Sequence, residues 1–422
     1  MFRGILDDFL SLFQTDFYLE VWRLILALWP VWLPLFLISL FLGTWFSCKR
    51  REFIRAQGNV LLEIRLPKEI ERSPAAMEMV LESMWEDVPG SLTDVYLEGA
   101  VRNWFSLEIV SIGGEVKFFI WTWPKWRQVV ETRIYSQYPG VEIVEVKDYA
   151  LDLIFDPAQT KVKGITTRLV KEDALPIKTY IDFGLDKTDK ESEQIVDPIA
   201  PVLEYLGARK PGEVAAVQIL IQGHRGQGFQ DVMLTPKRHF SKEVKVAVEK
   251  IAKDAAYFKG EEGKPLSILN LTKTQTEAIT SIERNAGKHA YDTQLRLMYF
   301  STLEADDKNS TAGMIGSMRQ FGFVGSNTVL NGIRPNKFIP GIVYPWEDFL
   351  DIRRIENQKL HLDAFKRRSF FNVPYKHMMG KPYILTVEEL ATLFHFPGAA
   401  VTTPTLTRVP SKKAEAPSNL PT

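Results

Sequence analysis

Hydrophobic and polar positions separate the chain into one long uncharged run near the start and a body of shorter segments with strand or helix periodicity. No charged residue occurs from Leu24 to Cys48, and the run stops at Lys49, Arg50 and Arg51. At ~1.5 Å per residue, a helix of this length exceeds the ~20 apolar residues that cross a bilayer, where backbone polar groups must bond within the segment. The residues before it hold Asp7, Asp8, Asp16 and Glu20 against Arg3 and Arg23, unlike the basic start and short apolar core of a cleaved signal peptide. The pattern predicts a retained transmembrane anchor over 21–50. Trp22 and Trp45 are placed as interfacial flanks and Pro30 with Pro34 as a kink. The cations Lys49, Arg50, Arg51 and Arg55 put the C-terminal part on the cytoplasmic side by the positive-inside rule. In residues 1–20, Phe2, Ile5, Leu6, Phe9, Leu10, Phe13 and Phe17 recur at near-helical spacing, as in a short helix along the membrane interface. A helix packing on a partner protein has the same spacing.

Residues 58–150 carry the clearest alternation. Val60 to Leu66 is a β-rich run stopped by Pro67. Ser73 then caps a helix with Pro74 at its first position and Met77, Val80, Leu81 and Met84 along one face. Trp104 to Ile112 and Glu115 to Thr122 flank Gly113-Gly114, a dipeptide that supplies the positive φ of a tight hairpin. Trp126, Val129, Val130 and Ile134 follow at helical spacing, and Val141 to Val146 is strand-like. The order β-α-β-β-α-β predicts a ferredoxin-like domain, an antiparallel sheet with two helices on one face.

A looser copy is expected over 151–343: a strand at Ile177 to Phe183, a helix from about Asp197 to Leu206, strands at Val214 to Gln222 and Gln294 to Ser301, and a helix near Met314 to Phe321. Two helices are inserted over 240–287. The first has Val244, Val248, Ile251, Ala255 and Phe258 on one face, and the second opens with Thr272 and Gln275 in capping-box spacing. Residues 344–400 read as a helical C-terminal segment, with Phe349, Ile352 and Ile355 on one helix and a box of Thr386 and Glu389 opening another, ended by Pro397-Gly398. Residues 401–422 are rich in Pro, Thr, Ser, Lys and Ala and read as a flexible tail. The fold class is α+β, with the anchor preceding both domains.

Charge alters this picture little. The 52 basic and 52 acidic side chains balance, leaving no overall electrostatic footprint for nucleic acid. Cys48 is the only cysteine, so no internal disulfide forms and the cores must hold the fold, in keeping with a reducing compartment. No Gly-x-x-x-x-Gly-Lys-Ser/Thr phosphate loop and no Gly-x-Ser-x-Gly elbow occurs, and the six histidines show no metal-ligand spacing. Gly223-His224-Arg225-Gly226-Gln227-Gly228 follows an expected strand but misses the dinucleotide spacing, and reads as a loop. No cofactor and no enzymatic activity are expected, although carboxylates distant in sequence can still meet in space. Basic clusters at Lys161 and Lys163, at Lys237 and Arg238, and at Arg353, Arg354, Lys366, Arg367 and Arg368 are the candidates for nucleic-acid contact. In the last, Phe365, Phe370 and Phe371 are placed either to stack on bases or to turn into a core.

Three body segments, Gly58-Asn59-Val60-Leu61-Leu62-Glu63-Ile64, Trp104-Phe105-Ser106-Leu107-Glu108-Ile109 and Gln137-Tyr138-Pro139-Gly140-Val141-Glu142-Ile143, carry a family resemblance. So do the end segments running from Glu388 to Pro397 and from Ser411 to Pro421. They resemble a bacterial family of uncharacterised proteins that is similar to the membrane-anchored, non-motor half of conjugative coupling ATPases of the TraG and TraD type. The likeness covers most of the chain, and its motifs are structural. In fused relatives a P-loop motor follows the Asn-Leu-Pro segment, here Asn419-Leu420-Pro421, where this chain stops. The resemblance implies a single-pass, non-enzymatic subunit of a type IV secretion-like or DNA-transfer apparatus in the cytoplasmic membrane. Its implied partners are the lipid bilayer and a P-loop ATPase supplied in trans, with self-association and DNA as further candidates. A membrane-bound enzyme with a spatially assembled site and a membrane-anchored DNA-binding module are the alternatives.

Overall fold

The computed structural model describes residues 21–24, 26–67, 72–186, 197–225, 229–230, 233–236, 240–258, 271–322, 327–331, 351–378, 380–398 and 408–409. The expected interfacial helix in 1–20, most of the tail, Gly226-Gln227-Gly228, Lys237, Arg238 and Phe349 lie outside them. Two compact units emerge: residues 1–56 with 91–100, and residues 57–90 with 101–422.

The first unit is built on α1, Trp29–Gln57, which has no buried residue and is long and apolar enough to cross a membrane. Pro30 falls in its first turn, where a missing N–H costs nothing, and Pro34 lies inside. The helix does not end with the apolar run, as the 21–50 boundary anticipated. Lys49 reaches Glu52 at 2.9 Å one turn on, and the polar residues continue the same helix to Gln57. Ser91 to Ala100 complete this unit with a π-helical turn, Asp94–Glu98, closed by Gly99 at φ 78°.

In the second unit, β1 (Val60–Pro67), α2 (Ala75–Met84), β2 (Phe105–Ile112), β3 (Glu115–Thr122), α3 (Arg127–Gln137) and β4 (Glu142–Val146) follow the expected order. They pair as β4-β1-β3-β2, every neighbour antiparallel. Gly113 and Gly114, at φ 60° and 97°, make the β2–β3 turn, and a Cβ on Gly114 would lie 2.6 Å from the Arg209 carbonyl oxygen.

The next strands, β5 (Thr160–Leu169), β6 (Glu213–Gly223), β9 (Ala290–Thr302) and β10 (Val329–Asn331), pair as β10-β5-β9-β6, again antiparallel. Helices α4 (Ala200–Gly207) and α7 (Ser310–Gly316) hold the two crossover positions. The opening strand is Thr160–Leu169, not the expected Ile177 to Phe183. The latter is turn and irregular chain whose Ile177 and Tyr180 amides donate to Glu389 and Thr392 side chains rather than to a ladder. Between β6 and β9, where the first half has two glycines, stand the short pair β7 (Phe229–Gln230) and β8 (Met233–Pro236) and the helices α5 (Phe240–Phe258) and α6 (Lys273–Ala286).

Strand β2 pairs antiparallel with β6 from Phe105↔Ile221 to Ile112↔Val214, so one sheet runs through both expected domains. The C-terminal segment is likewise integral. After α8 (Ile352–Lys366), β11 (Tyr383–Thr386) pairs with β9 and α9 (Val387–Leu393) packs on α2. Arg408 and Val409, expected within the tail, form β12 parallel to Leu66 and Pro67 of β1.

Period-two alternation gives the sheet two faces. Phe105, Leu107 and Ile109 join Met77, Val130, Ile134, Val202 and Leu203 in the main apolar core, each fully buried large side chain contributing about 1.5–3 kcal/mol. Glu108 on the intervening register meets the opposite layer, where Gln218 and Arg296 donate to the carbonyls of Phe365 and Ala364 at the end of α8.

Candidate functional site

At the end of the apolar stretch of α1, the Lys49 ammonium lies 5.5 Å from the centre of the Trp45 ring, while Trp22, Arg51 and Trp45 are exposed and Lys49 and Arg50 half-buried. An aromatic ring beneath a cation suits a surface that is apolar below and charged above.

The cationic cluster near the C-terminus is taken apart by the fold. Arg353 and Arg354 are exposed at the start of α8, with Arg354 2.9 Å from Asp351; Arg367 is exposed and bonded to Asp363 at 2.8 Å; Lys366 is half-buried. Arg368 corrects the expectation of a surface contact, because its side chain has no solvent exposure. Its Nε donates to Glu108 at 3.0 Å, its Nη2 to Asp148 at 2.9 Å, and Tyr149 donates to the same Glu108 at 2.7 Å. Burial alone would raise the Glu108 carboxyl, but the Arg368 charge and hydrogen bonds from Arg368, Ser106 and Gln218 hold it below its ordinary value. Phe365, Phe370 and Phe371 are buried, so none is presented for stacking. Lys161 and Lys163 remain partly exposed, and both are paired with Asp306, at 2.9 and 2.7 Å.

A polar cluster unseen in the sequence forms at the junction of β6 and β9. His224 Nδ1 lies 2.7 Å from Asp292 Oδ1, and Arg102 Nη1 donates to Asp292 Oδ2 at 3.1 Å and to the Gly223 carbonyl at 2.6 Å. Asn103 donates to Glu86 beside them, and a Cβ on Gly223 would overlap the Glu86 carbonyl oxygen. That glycine therefore serves close backbone approach, not a phosphate cradle. His224 is buried, and its Nε2 has no hydrogen-bond partner among the described residues. An aspartate on Nδ1 orients the ring and leaves Nε2 as the group able to exchange a proton. The signal is absent from the sequence because His224 and Asp292 meet only through the Gln222↔Asp292 register of β6 and β9. Among the described residues no group of three or more His, Cys, Asp or Glu side chains is placed to hold a metal ion.

A cleft of about 770 Å³ lies between α5, α6 and the strand-end segment after β5. Val170, Leu175, Ala247, Ile251 and Ala278 give it an apolar lining, with Lys250 and Glu172 paired at 2.9 Å on its wall. The helices form as their spacing predicts: Thr272 and Gln275 make both bonds of the capping box of α6, and Val244, Ala247 and Ile282 bury against Ala174. Arg284 and Lys288, at the base of α6, converge on the buried carboxylate of Glu388 at 2.8 and 2.9 Å, tying the insertion to α9.

Comparison with curated proteins gives no match. Residues 49–321 match the family described as Domain of unknown function (DUF8128), and since this span exceeds half of the chain, the protein belongs to that family.

Proposed function

We propose that this chain is a membrane-anchored, non-enzymatic docking subunit of a type IV secretion-like or conjugative DNA-transfer apparatus. It holds a separate P-loop ATPase, or that ATPase's substrate, at the cytoplasmic membrane. On this reading α1 spans the bilayer once, Lys49, Arg50 and Arg51 mark the cytoplasmic side, and the two β-α-β-β-α-β halves are ferredoxin-like units fused through β2 and β6. The observation that supports docking is the placement of α5 and α6. A helical pair with a partly apolar cleft of about 770 Å³ replaces a two-residue turn on an otherwise repeated sheet, and charge pairs fix its base to the body. Such a cleft suits a helical or extended segment of another protein.

Copurification from mild detergent tests the reading. The full chain is expected to bring down a P-loop ATPase, and Val170→Arg or Ile251→Arg, which place a charge in the cleft, are expected to lose it. An unaccompanied full chain, or retention of the ATPase by both variants, removes the proposal.

The His224–Asp292 pair supports a second reading, a membrane-bound enzyme using His224 Nε2 as a base. Hydrolase or nuclease turnover by the full chain, abolished by His224→Gln with the fold intact, selects it over docking.

A further inference from the structure

The segment Ser91 to Gly99 was not singled out by any sequence pattern, yet it is held against the basic end of α1 in a fixed shape. Gly99 packs so closely that a Cβ there would lie 2.5 Å from the Lys49 carbonyl carbon and 2.7 Å from the Arg50 nitrogen, and its φ of +78° is one that glycine adopts freely. Tyr96 sets its ring edge-on to Phe46 with centroids 5.7 Å apart. The turn is also locked internally. The Ser91 amide donates to Asp94 Oδ2 at 2.8 Å and the Asp94 amide donates to Ser91 Oγ at 3.3 Å, the reciprocal pattern of a capping box.

This rigid turn presents its apolar side chains outward. Leu92 is 77% exposed and Leu97 65% exposed, although nothing in the turn's own geometry prevents a polar residue at either position. Exposed leucines are common singly, but these two belong to the same compact unit as a helix with an unburied apolar surface. They are attached at the level where that surface ends: Phe46 lies just before Cys48, the last residue of the uncharged run, and Lys49 just after it.

We propose that Leu92, Tyr96 and Leu97 form a second membrane contact, inserting into the interfacial layer of the leaflet next to the basic end of α1. The proposal rests on α1 being a span. It adds that the turn fixes the rotation and depth of the helix end, because a lipid-inserted side contact restrains tilt where a lone helix does not. The occupant is lipid rather than protein because Tyr96, between the two leucines, packs on Phe46 at the end of the apolar run of α1 and so sets the turn beside the surface that enters the bilayer. At the adjoining end of α1, Arg50 and Arg51 supply charge that anionic headgroups attract; Lys49 is paired with Glu52, the Asp94 carboxylate is engaged within the turn, and Glu98 is an exposed carboxylate beside Leu97.

The full chain with Cys48→Ser, carrying single cysteines in turn as Leu92→Cys, Leu97→Cys, Leu40→Cys or Met79→Cys, is labelled with an environment-sensitive nitrobenzoxadiazole dye. The labelled chains are placed in phosphatidylcholine and phosphatidylglycerol vesicles. Probes at 92 and 97 are expected to emit at shorter wavelength and to be quenched by lipids with a doxyl group near the headgroup. The probe at 40 should be quenched by deep doxyl groups and the one at 79 by aqueous iodide. If 92 and 97 behave like 79 while 40 is reached from the lipid, the turn proposal fails and the span stands; if 40 also behaves like 79, the span fails with it. A shifted emission at 97 that no lipid quencher alters means that protein covers the turn, and it overturns the proposal equally.

Discussion

Arg368 and Glu108, 260 positions apart in the chain, meet through two parallel hydrogen bonds of 3.0 and 3.2 Å with both side chains shut off from solvent. The pair clamps the segment after α8 onto the sheet, and Trp104 adds a bond from its indole N–H to the Arg368 carbonyl at 3.0 Å. Removing one member leaves a buried charge. Arg368→Met is therefore expected to cost ~3–5 kcal/mol in denaturant unfolding. The double variant Arg368→Met with Glu108→Leu is expected to lose clearly less than the sum of the two singles, the measure of their coupling. Strict additivity rules the clamp out.

Gly164 on β5 lies under the His361 ring, where a Cβ would come within 2.6 Å of Nδ1 and 2.8 Å of Cγ. Gly164→Ala is expected to cost ~1–3 kcal/mol through overpacking. Adding His361→Ala should relieve part of that cost, because the overlap disappears. An unaltered unfolding midpoint in the Gly164→Ala protein would show that α8 does not seat on β5 in this way.

Two buried groups give opposite pH dependences. Burial pushes the Glu389 carboxyl up to about 7 from 4.5, outweighing the amide donors of Thr386 and Ile177. Its contribution is present below the unfolded value and is lost as pH rises through about 7. Burial, with the nearby Arg296 charge, pulls His361 down to about 4 from 6.5, so its contribution is present above 6.5 and is lost as pH falls towards about 4. Each is worth up to ~3 kcal/mol. Between pH 4.5 and 6.5 the two largely offset one another. In urea titrations across this range, Glu389→Gln should lose more stability on acidification than the parent, and His361→Phe less. Parallel profiles for all three would mean that neither group is buried as described.

Leu37 stands mid-way along the apolar part of α1 and is 51% exposed. An arginine there costs about 2.5–3.5 kcal/mol in a membrane-spanning helix. Leu37→Arg is expected to move a measurable share of the full chain from the carbonate-resistant membrane pellet to the supernatant. Equal retention of variant and parent shows that α1 is not what holds the chain to membranes.

Local order was open to reading from the residues, because the signals that specify it lie within a few positions of one another. The uncharged run of α1, the Gly113-Gly114 hairpin, the strand-helix alternation of 58–150 and the capping boxes at Thr272 and Thr386 all match the structure. The run Ile177 to Phe183 has the residues of a strand yet is buried as irregular chain, because the side chains of Glu389 and Thr392 take its amides.

What joined these pieces was settled only in three dimensions. That β2 pairs with β6, that β11 and α9 complete the same unit, that Arg368 leaves its cationic neighbours for Glu108 and that His224 finds Asp292 all depend on strand register and on contacts across a hundred positions or more in several cases. The sequence by itself determined most of the elements and the apolar helix, through periodicities of two and 3.6 residues. Tertiary structure decided which charges are surface and which are core, because the cost of burying a charge is met by a partner that no local spacing reveals.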